Sequence, residues 1–345
     1  MDIKQLLQFS VQQGASDLHV SSGIPPMIRI DGDMKRIEMP ALFAENARKI
    51  IYAIMSPDQQ QNFENDLECD FSFEIEALAR FRVNVFMQNR GISAVFRTIP
   101  SKVLSLEELK TPEIFKQISS LHRGIVLVTG PTGSGKSTTL AAMIDYVNKH
   151  YNHHILTIED PIEFVHEPKK SLINQREVHR DTKSFNNSLR AALREDPDVI
   201  LVGELRDLET ISLALTAAET GHLVFATLHT SSATKTIDRI IDVFPAGEQS
   251  MIRSMLSESL QAVISQTLLK REGGGRVAAH EIMIGSSPIR NLIRENKVPQ
   301  MHSVIETSNK MGMKTLDQDL SRLVSEGIIS KENAQSKARN KENFS

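Results

Sequence analysis

The sequence predicts an α/β protein of two domains, in which a small α+β domain precedes a larger α/β domain. The chain has 345 residues, more than one ordinary hydrophobic core accommodates. Short alternating strands fill the first hundred residues, whereas apolar strands alternate with helices after residue 122. Proline, serine and threonine are concentrated between these parts. We therefore assign residues 1–100 and 122–345 to the two domains and residues 101–121 to a linker.

Residues 1–100 show the patterns of three helices and six strands. We expect the helices over residues 3–13, over residues 44–54 and from Pro57 onwards, with Ser56 as the N-cap. Alternating apolar residues predict strands from residue 17 and over residues 27–30, 33–37, 69–75, 81–87 and 92–99. Asp31-Gly32 is typical of the tight turn of a hairpin. This domain has no catalytic constellation of its own.

Arg82 and Arg97 lie in the last two of these strands. Alternation places Arg82 on the face opposite Phe81 and Val83. Arginines at the surface of a sheet are often simply solvated and need no function. The alternative is that they donate charge to a nucleotide on the neighbouring domain, as arginine fingers do. The residues alone leave both interpretations open.

The strongest motif is a phosphate-binding loop of the pattern G-x-x-x-x-G-K-[ST]. It consists of Gly130, Pro131, Thr132, Gly133, Ser134, Gly135, Lys136, Ser137 and Thr138. A buried apolar strand over residues 124–129 precedes it and an amphipathic helix over residues 137–150 follows it, which is the context that the motif requires. The glycines let backbone N–H groups face phosphate oxygens, Lys136 supplies a positive charge and Ser137 offers a hydroxyl to Mg²⁺.

Three carboxylates follow the second apolar strand, residues 154–158. They belong to Glu159, Asp160 and Glu163, and Pro161 disfavours a helix at this point. Open α/β sheets bind their ligands at the carboxyl edge of the strands, so we expect these carboxylates to gather there. A solvated acidic turn is the alternative.

A third apolar strand, residues 198–204, follows a helix over residues 184–196 and ends in Glu204. A hydrophobic run that ends in an acid is a Walker B element, although Gly203 stands where the metal-binding aspartate usually lies. We expect Glu204 to polarise the attacking water or to hold Mg²⁺ through water. Arg206 is a candidate for an ion-pair partner or a phosphate contact.

The next apolar strand, residues 223–228, has a histidine at each end. It follows a helix over residues 208–220 that Asp207 caps. A histidine at the end of a strand is most often a surface residue. The pair His222 and His229 is suited to hydrogen bonds with a γ-phosphate, and it lacks the third ligand that a metal site needs.

The last third of the chain is predicted to be mostly helical. We expect a long amphipathic helix over residues 251–269 and a strand over residues 277–284. Another helix should follow, with Ser287 as its cap and Pro288 at its first position. The tail, residues 330–345, is charged and is expected to fray.

The composition argues against several classes of function. A net charge of −3 and 5% aromatic residues argue against the basic, stacking surface of a nucleic-acid motor. The one cysteine, Cys69, excludes a disulfide framework and suits a reducing cytosol. Because no apolar run reaches membrane-spanning length and the first residues lack a signal-peptide pattern, we expect a cytoplasmic protein that reaches the membrane through a partner.

In this order, the phosphate loop, the carboxylate loop, the altered Walker B strand and the paired histidines resemble the boxes of the secretion-type (type II/IV) ATPases. Within that superfamily the chain is similar to the pilus retraction ATPases over essentially its whole length. The resemblance implies a PAS-like N-terminal domain, a RecA-like P-loop ATPase domain and a homohexamer. It also implies hydrolysis of ATP with Mg²⁺ to power type IV pilus retraction and twitching motility, at the cytoplasmic face of the inner membrane.

The resemblance further implies roles for individual residues. Lys136 and Ser137 would hold ATP and Mg²⁺. Glu163 would orient or activate the attacking water, and Glu204 would be the Walker B glutamate. The implied partners are an inner-membrane pilus platform protein and an accessory retraction ATPase.

The remaining implied roles concern movement and charge. His222 and His229 would couple the γ-phosphate to domain movement, and Arg82 and Arg97 would be arginine fingers in their own subunit or in a neighbour. Residues 289–295 match a family motif that is needed for retraction rather than for hydrolysis.

Three alternative functions remain. An assembly or secretion ATPase of the superfamily typically carries an extra N-terminal domain and a four-cysteine zinc module, which a chain with one cysteine lacks. An accessory retraction ATPase would share every box, and residues 289–295 favour the principal motor over it. A nucleotide-sensing scaffold without hydrolysis is disfavoured because Glu163 and Glu204 are both present.

Overall fold

The computed structural model describes residues 2–30, 32–76, 78–99 and 102–344. The chain divides into two compact units, and the division falls between Lys102 and Val103. Each unit has its own sheet and its own hydrophobic core. The protein therefore has a mixed α/β fold with two sheets.

The first unit combines three helices with six strands. These are α1 (Ile3–Gln12), β1 (Asp17–Ser21), β2 (Met27–Ile30), β3 (Asp33–Arg36), α2 (Ala44–Tyr52), α3 (Pro57–Asp66), β4 (Glu68–Ile75), β5 (Ala79–Gln88) and β6 (Gly91–Ile99). The strands pair antiparallel in the order β3-β2-β1-β6-β5-β4. Alternate residues of β5, namely Phe81, Val83 and Val85, are fully buried, as the sequence pattern predicts.

Local sequence sets the ends of these elements. Ser56 forms a capping box with Gln59 at the start of α3, and Pro57 occupies the first turn. Gly32, in the predicted hairpin turn, has a φ of 95°, which glycine adopts without strain. Its predicted partner in the turn, Asp31, lies outside the described residues.

The second unit combines ten α-helices with seven strands among the described residues. These are α4 (Ile114–Ser119), β7 (Gly124–Thr129), α5 (Lys136–His150), β8 (His154–Glu159), β9 (Leu172–Glu177), α6 (Phe185–Ala192), β10 (Val199–Val202), α7 (Leu208–Glu219), β11 (Leu223–Leu228), α8 (Ala233–Asp242), α9 (Gln249–Ser259), β12 (Leu260–Lys270), β13 (Arg276–Ile284), α10 (Ser287–Arg294), α11 (Met301–Thr307), α12 (Leu316–Ser325) and α13 (Lys331–Lys337). The sheet order is β13-β12-β7-β11-β10-β8-β9. Among the described strands of this sheet, only the β12–β13 pair is antiparallel.

The predicted long helix over residues 251–269 is wrong in its second half. The helix α9 ends at Ser259, and the chain continues as β12, which pairs with β7 on one side and with β13 on the other. Ala262, Val263 and Ile264 are completely buried, as a strand inside a sheet requires. A short apolar run fits a buried strand and a buried helix equally well, so periodicity did not separate the two.

Residues 103–121 pack as part of the second unit, although the sequence analysis assigns them to a linker. Leu106, Phe115 and Ile118 are buried in the same cluster as Val126 and Val128 of β7. The prolines and serines mark turns and the start of α4 here, because such residues serve folded turns as well as linkers. Residue 101 of the predicted linker lies outside the described part of the chain.

The C-terminal region also differs from expectation. Ser286, rather than Ser287, is the N-cap residue of α10, which still places Pro288 in the first turn. The tail that was expected to fray forms α13 and a short 3-10 turn, and Phe344 is buried beside Leu320. The sequence analysis did not anticipate α8 and β9. None of the described helices combines the length and the apolar character needed to span a membrane.

A buried carboxylate ties α12 to β13. Asp319 is fully buried, and it accepts hydrogen bonds from Lys314 Nζ at 2.5 Å, from Arg322 Nε at 3.0 Å and from the backbone N–H of His280 at 2.8 Å. Burial lowers the pKa of His280 to about 4, so its ring is neutral at pH 7. The two cations therefore carry the charge that compensates Asp319.

We expect Asp319→Ala to lower the free energy of unfolding by about 3–5 kcal/mol, because it leaves the mostly buried Lys314 cation without its counter-ion. The matched control is Glu326→Ala, which removes the exposed partner of Arg322 and should cost less than about 1 kcal/mol. Urea denaturation of the two variants measures the difference. Equal losses in both would contradict this account of the cluster.

Candidate functional site

Four parallel strands bring candidate residues to one edge of the second sheet. The phosphate loop follows Thr129 at the end of β7, and Glu159 is the last residue of β8. Gly203 and Glu204 follow β10, and His229 follows β11. The register pairs the last residues of β7 and β11, so their carboxyl ends lie side by side. This is the edge at which open α/β sheets bind ligands.

The phosphate loop is shaped by glycine conformation and by its lysine. Gly130, Gly133 and Gly135 have φ angles of 144°, 77° and 88°, which L side chains rarely adopt. Lys136 is buried at the start of α5, and its Nζ donates to the carbonyl oxygens of Gly130 at 2.9 Å and Pro131 at 3.2 Å. The loop therefore curls around its own ammonium group.

Two carboxylates act on the charge of Lys136. Burial lowers the pKa of Lys136 below its ordinary value, and the negative charges of Glu204 and Glu163 oppose this shift only in part. Ser137 is half-buried at the second position of α5. The structure thus places Glu163 and Glu204 close enough to Lys136 for their charges to act on it, and Ser137 directly follows the lysine in α5.

Glu204 is held from two sides. Its Oε2 lies 2.7 Å from Arg206 Nε, and its Oε1 lies 3.1 Å from His229 Nε2. The Glu204 side chain is 23% exposed, so part of it remains accessible to solvent. Arg206 was a candidate for an ion-pair partner or for a phosphate contact, and in the structure it is the ion-pair partner of Glu204. Glu204 is consequently oriented before any ligand contacts it.

Close packing explains why Gly203 replaces the usual aspartate. A Cβ atom at this position would lie 3.3 Å from the Cα of Glu159 and 3.3 Å from the carbonyl oxygen of Ile158. A larger side chain would therefore press against the end of β8. The acid of this strand is displaced by one residue, to Glu204.

The three carboxylates after β8 do not gather as expected. Asp160 and Glu163 are exposed, whereas Glu159 is buried and accepts hydrogen bonds from Thr157 Oγ1 at 2.7 Å and from Gln175 Nε2 at 3.3 Å. Its second oxygen accepts the backbone N–H of Glu163 at 3.4 Å. Burial raises the pKa of Glu159 to about 7. Glu159 is an internal anchor of the loop that carries Glu163.

The structure separates the two histidines. His229 lies at the carboxyl end of β11, but His222 lies at the amino end, where its carbonyl accepts the N–H of Gly124. Seven residues of extended chain span about 20 Å, so His222 is far from the phosphate loop of the same chain. Its Nδ1 donates to the carbonyl of Ala217 at 2.9 Å. Because ligands bind at the carboxyl edge of parallel strands, the position of His222 before its strand was already a signal against a contact with the phosphate loop of the same chain.

Arg82 and Arg97 face each other across β5 and β6 in the first unit. Both are exposed, and Arg97 Nε donates to Asp17 Oδ1 at 3.0 Å. Asp17 is nearly buried and also lies 4.0 Å from Arg29. Arg97 therefore has a structural partner that the sequence analysis did not assign to it.

One residue at the phosphate loop escaped the sequence analysis altogether. Gln266 lies on β12, its side chain is buried, and it contacts Ser134 and Thr139. Because residues 251–269 are predicted as one helix, Gln266 has no expected position beside β7. The apolar run Ala262–Ile264 next to it fits a strand and a helix equally well, so the sequence carried no signal that separates the two.

Comparison with known proteins decides the family. A model described as type II/IV secretion system protein matches residues 1–336. The chain belongs to this family. A curated member of the type II/IV secretion system protein family, the type IV pilus retraction ATPase PilT of Pseudomonas aeruginosa, is 68% identical over 344 residues, and the alignment covers 100% of both proteins.

Two further members of the type II/IV secretion system protein family are similar to the chain. The type IV pilus ATPase PilU of Pseudomonas aeruginosa is 39% identical over 335 residues, which cover 97% of this chain and 88% of PilU. A crystal structure of the pilus retraction motor PilT with bound ADP is 48% identical, has a TM-score of 0.92 and matches 99% of this chain and 98% of that one. The predicted family and the two-sheet α/β fold are thus confirmed.

The buried Glu159 carboxyl makes stability depend on pH. Because its pKa is about 7 in the folded protein and 4.5 in the unfolded chain, the folded state holds the proton more tightly between these values. Stability from this group is complete below pH 4.5 and is lost as the pH rises through 7. Relative to Glu159→Gln, which does not titrate, wild type should lose on the order of 3 kcal/mol between pH 5 and pH 8. Urea unfolding across this range measures it, and parallel pH curves would contradict it.

Proposed function

We propose that the chain is a motor ATPase that hydrolyses ATP to ADP and phosphate and thereby powers retraction of a type IV pilus. The observation that carries the chemistry is the meeting of Lys136, Glu163 and Glu204 at the carboxyl edge of the sheet. Similarity to PilT over the whole chain supports the biological role.

The phosphate loop is the proposed binding site for ATP, formed by residues 130–138. The Lys136 ammonium group donates to two loop carbonyls, and it would exchange these for the β- and γ-phosphate oxygens. The Ser134 hydroxyl is buried without a hydrogen-bond partner among the described residues, so a polar ligand would satisfy it. The glycine conformations leave backbone N–H groups free to face the phosphates.

Mg²⁺ fits this site as a partner of the nucleotide. The described residues contain no group of three His, Cys, Asp or Glu side chains that would hold a metal by themselves. Mg²⁺ usually keeps several waters and is held by one or two protein groups together with phosphates. We propose Ser137 for direct contact and Glu204 for contact through water. When bound, Mg²⁺ would neutralise charge on the phosphates.

We propose that Glu204 and Glu163 activate the attacking water. Glu204 is oriented by Arg206 and His229, which suits it to polarise a water molecule beside the γ-phosphate. Glu163 is exposed on a loop that Glu159 anchors, which suits it to orient the same water. Phosphoryl transfer asks mainly for such positioning and charge stabilisation.

The remaining proposed roles concern the two histidines and the two arginines. His229 is the histidine placed to contact the γ-phosphate within one chain, whereas His222 is proposed to act only through the sheet or in a neighbouring subunit. Arg82 and Arg97 are proposed as arginine fingers, with Arg97 oriented by Asp17. We assign a PAS-like fold to the first unit and a RecA-like fold to the second.

We further propose a homohexamer at the cytoplasmic face of the inner membrane. Its proposed partners are a pilus platform protein and an accessory retraction ATPase. The higher identity to PilT, 68% against 39% for PilU, favours the principal motor. Closure of one domain on the other with the γ-phosphate bound, and release after hydrolysis, would convert the chemistry into work.

We expect Lys136→Ala to abolish binding of ATP, because it removes the only side-chain cation of the phosphate loop. Lys149→Ala, at the other end of α5, is the matched control and should bind normally. Fluorescence titration with a labelled ATP analogue measures both. Normal affinity in Lys136→Ala would refute the assignment of the phosphate loop.

Glu204→Gln should bind ATP but turn over at least about a hundredfold more slowly, because the amide cannot polarise water as the carboxylate does. Phosphate release from the purified protein measures the turnover. Cells with this variant as the sole copy should carry excess surface pili that do not retract. Bald cells would instead identify an assembly motor.

The helix α10 is the proposed contact for retraction. Ile289 and Ile293 anchor it in the core, whereas Asn291 and Arg294 are exposed. We expect Arg294→Glu to keep ATP hydrolysis within twofold of wild type and to abolish twitching motility. Ile293→Ala is the comparison variant: because it removes a buried side chain, it should lower the melting temperature, whereas Arg294→Glu should not. Parallel loss of hydrolysis and motility in Arg294→Glu would contradict a separate role.

A further inference from the structure

Gln266 occupies a fixed place beside the phosphate loop. It follows Ser265, which pairs with Thr129, the last residue of β7. Its side chain is almost completely buried, with 3% of the residue exposed. A buried amide is costly unless its NH₂ group and its oxygen each have a hydrogen-bond partner, so the contacts of Gln266 define what it does.

Both ends of the Gln266 amide are engaged by the phosphate-loop segment. Nε2 donates to the carbonyl oxygen of Ser134 at 2.6 Å, and Oε1 accepts the hydroxyl of Thr139 at 2.9 Å. A carbonyl oxygen can only accept a hydrogen bond, so the NH₂ group must be the end that faces Ser134. The two bonds join the last part of the loop to the first turn of α5.

The bond to Ser134 sets the direction of one backbone N–H. In a trans peptide the carbonyl of Ser134 and the N–H of Gly135 point in opposite directions. Holding the carbonyl towards β12 therefore turns the N–H of Gly135 away from β12. Gly135 has a φ of 88°, and a Cβ atom on it would lie 3.1 Å from Gln266 Nε2. The position needs glycine partly because Gln266 is so close.

The backbone of Gln266 constrains the other end of the loop. A Cβ atom on Gly130 would lie 2.3 Å from the carbonyl oxygen of Gln266, so a side chain there is excluded. Gln266 thus contacts the loop at Gly130 through its backbone and at Ser134 through its side chain. No sequence motif places a residue of β12 at this loop.

We propose that Gln266 is a positioning residue for nucleotide binding, which orients the Ser134–Gly135 peptide so that the Gly135 N–H faces the phosphates. The inference rests on the proposed function of the phosphate loop. If Gln266 has this role, β12 contributes to the affinity for ATP and ADP through its contact with the phosphate loop. Gln266 itself does not touch the nucleotide.

The test compares Gln266→Leu with Gln261→Leu. Gln261 lies on the same strand, and its Nε2 donates to the carbonyl of Arg123 at 3.0 Å, beyond the opposite end of β7. Because Gln266→Leu leaves the Ser134 carbonyl without its buried donor, we expect the Kd for labelled ADP and the KM for ATP to rise about tenfold. The peptide would bind ground state and transition state alike, so kcat should stay within threefold. Gln261→Leu should leave Kd, KM and kcat within twofold of wild type.

Thr139→Val provides a second route if Gln266→Leu does not fold. Valine keeps the volume of threonine but removes the hydroxyl that holds Oε1, so the Kd for ADP should rise about threefold. Circular dichroism confirms that each variant is folded. An unchanged Kd in folded Gln266→Leu, or in Thr139→Val when that variant alone folds, would overturn the inference. An equal rise in Gln261→Leu would overturn it too.

The outcome for wild type separates this inference from the proposed function. Wild type that binds ADP, together with a Gln266→Leu variant that binds equally well, refutes the role of Gln266 and leaves the ATPase intact. Wild type that fails to bind ADP and ATP refutes both.

Discussion

The parallel register of β7, β11, β10 and β8 is the constraint on which the site depends. Parallel strands present all their carboxyl ends at one edge, and each of these four strands is followed by a chemically active segment. The phosphate loop, Glu163, Glu204 and His229 come from stretches as much as a hundred residues apart. Because the strands share one edge, these residues come together even though they are not neighbours in the chain.

Polar contacts then hold each of these segments in place. Glu159 accepts the backbone N–H of Glu163, and His229 and Arg206 hold the two oxygens of Glu204. Gln266 makes the corresponding contact for the phosphate loop. Glu159 and Gln266 are buried, and such groups are costly to bury unless they are hydrogen-bonded, so their partners are as constrained as they are. The proposed site residues at the carboxyl edge of the sheet are therefore held by polar partners from neighbouring segments.

Most elements were predictable because their signals are local. The capping box at Ser56, the glycines of the phosphate loop and the alternation in β5 each act within a few residues. The errors share a different cause. The strand β12 and the packed segment 103–121 owe their structure to burial against β7, which no local pattern records.

By itself the sequence determined the phosphate loop, the family and the two-sheet α/β fold, because glycine conformation, apolar periodicity and the order of motifs are properties of neighbouring residues. Only the tertiary structure decided which candidates meet. It buried Glu159 in the interior and set Gln266 against Ser134. These outcomes depend on strand order and on which side chains are buried, and both follow from packing between residues that are distant in the chain.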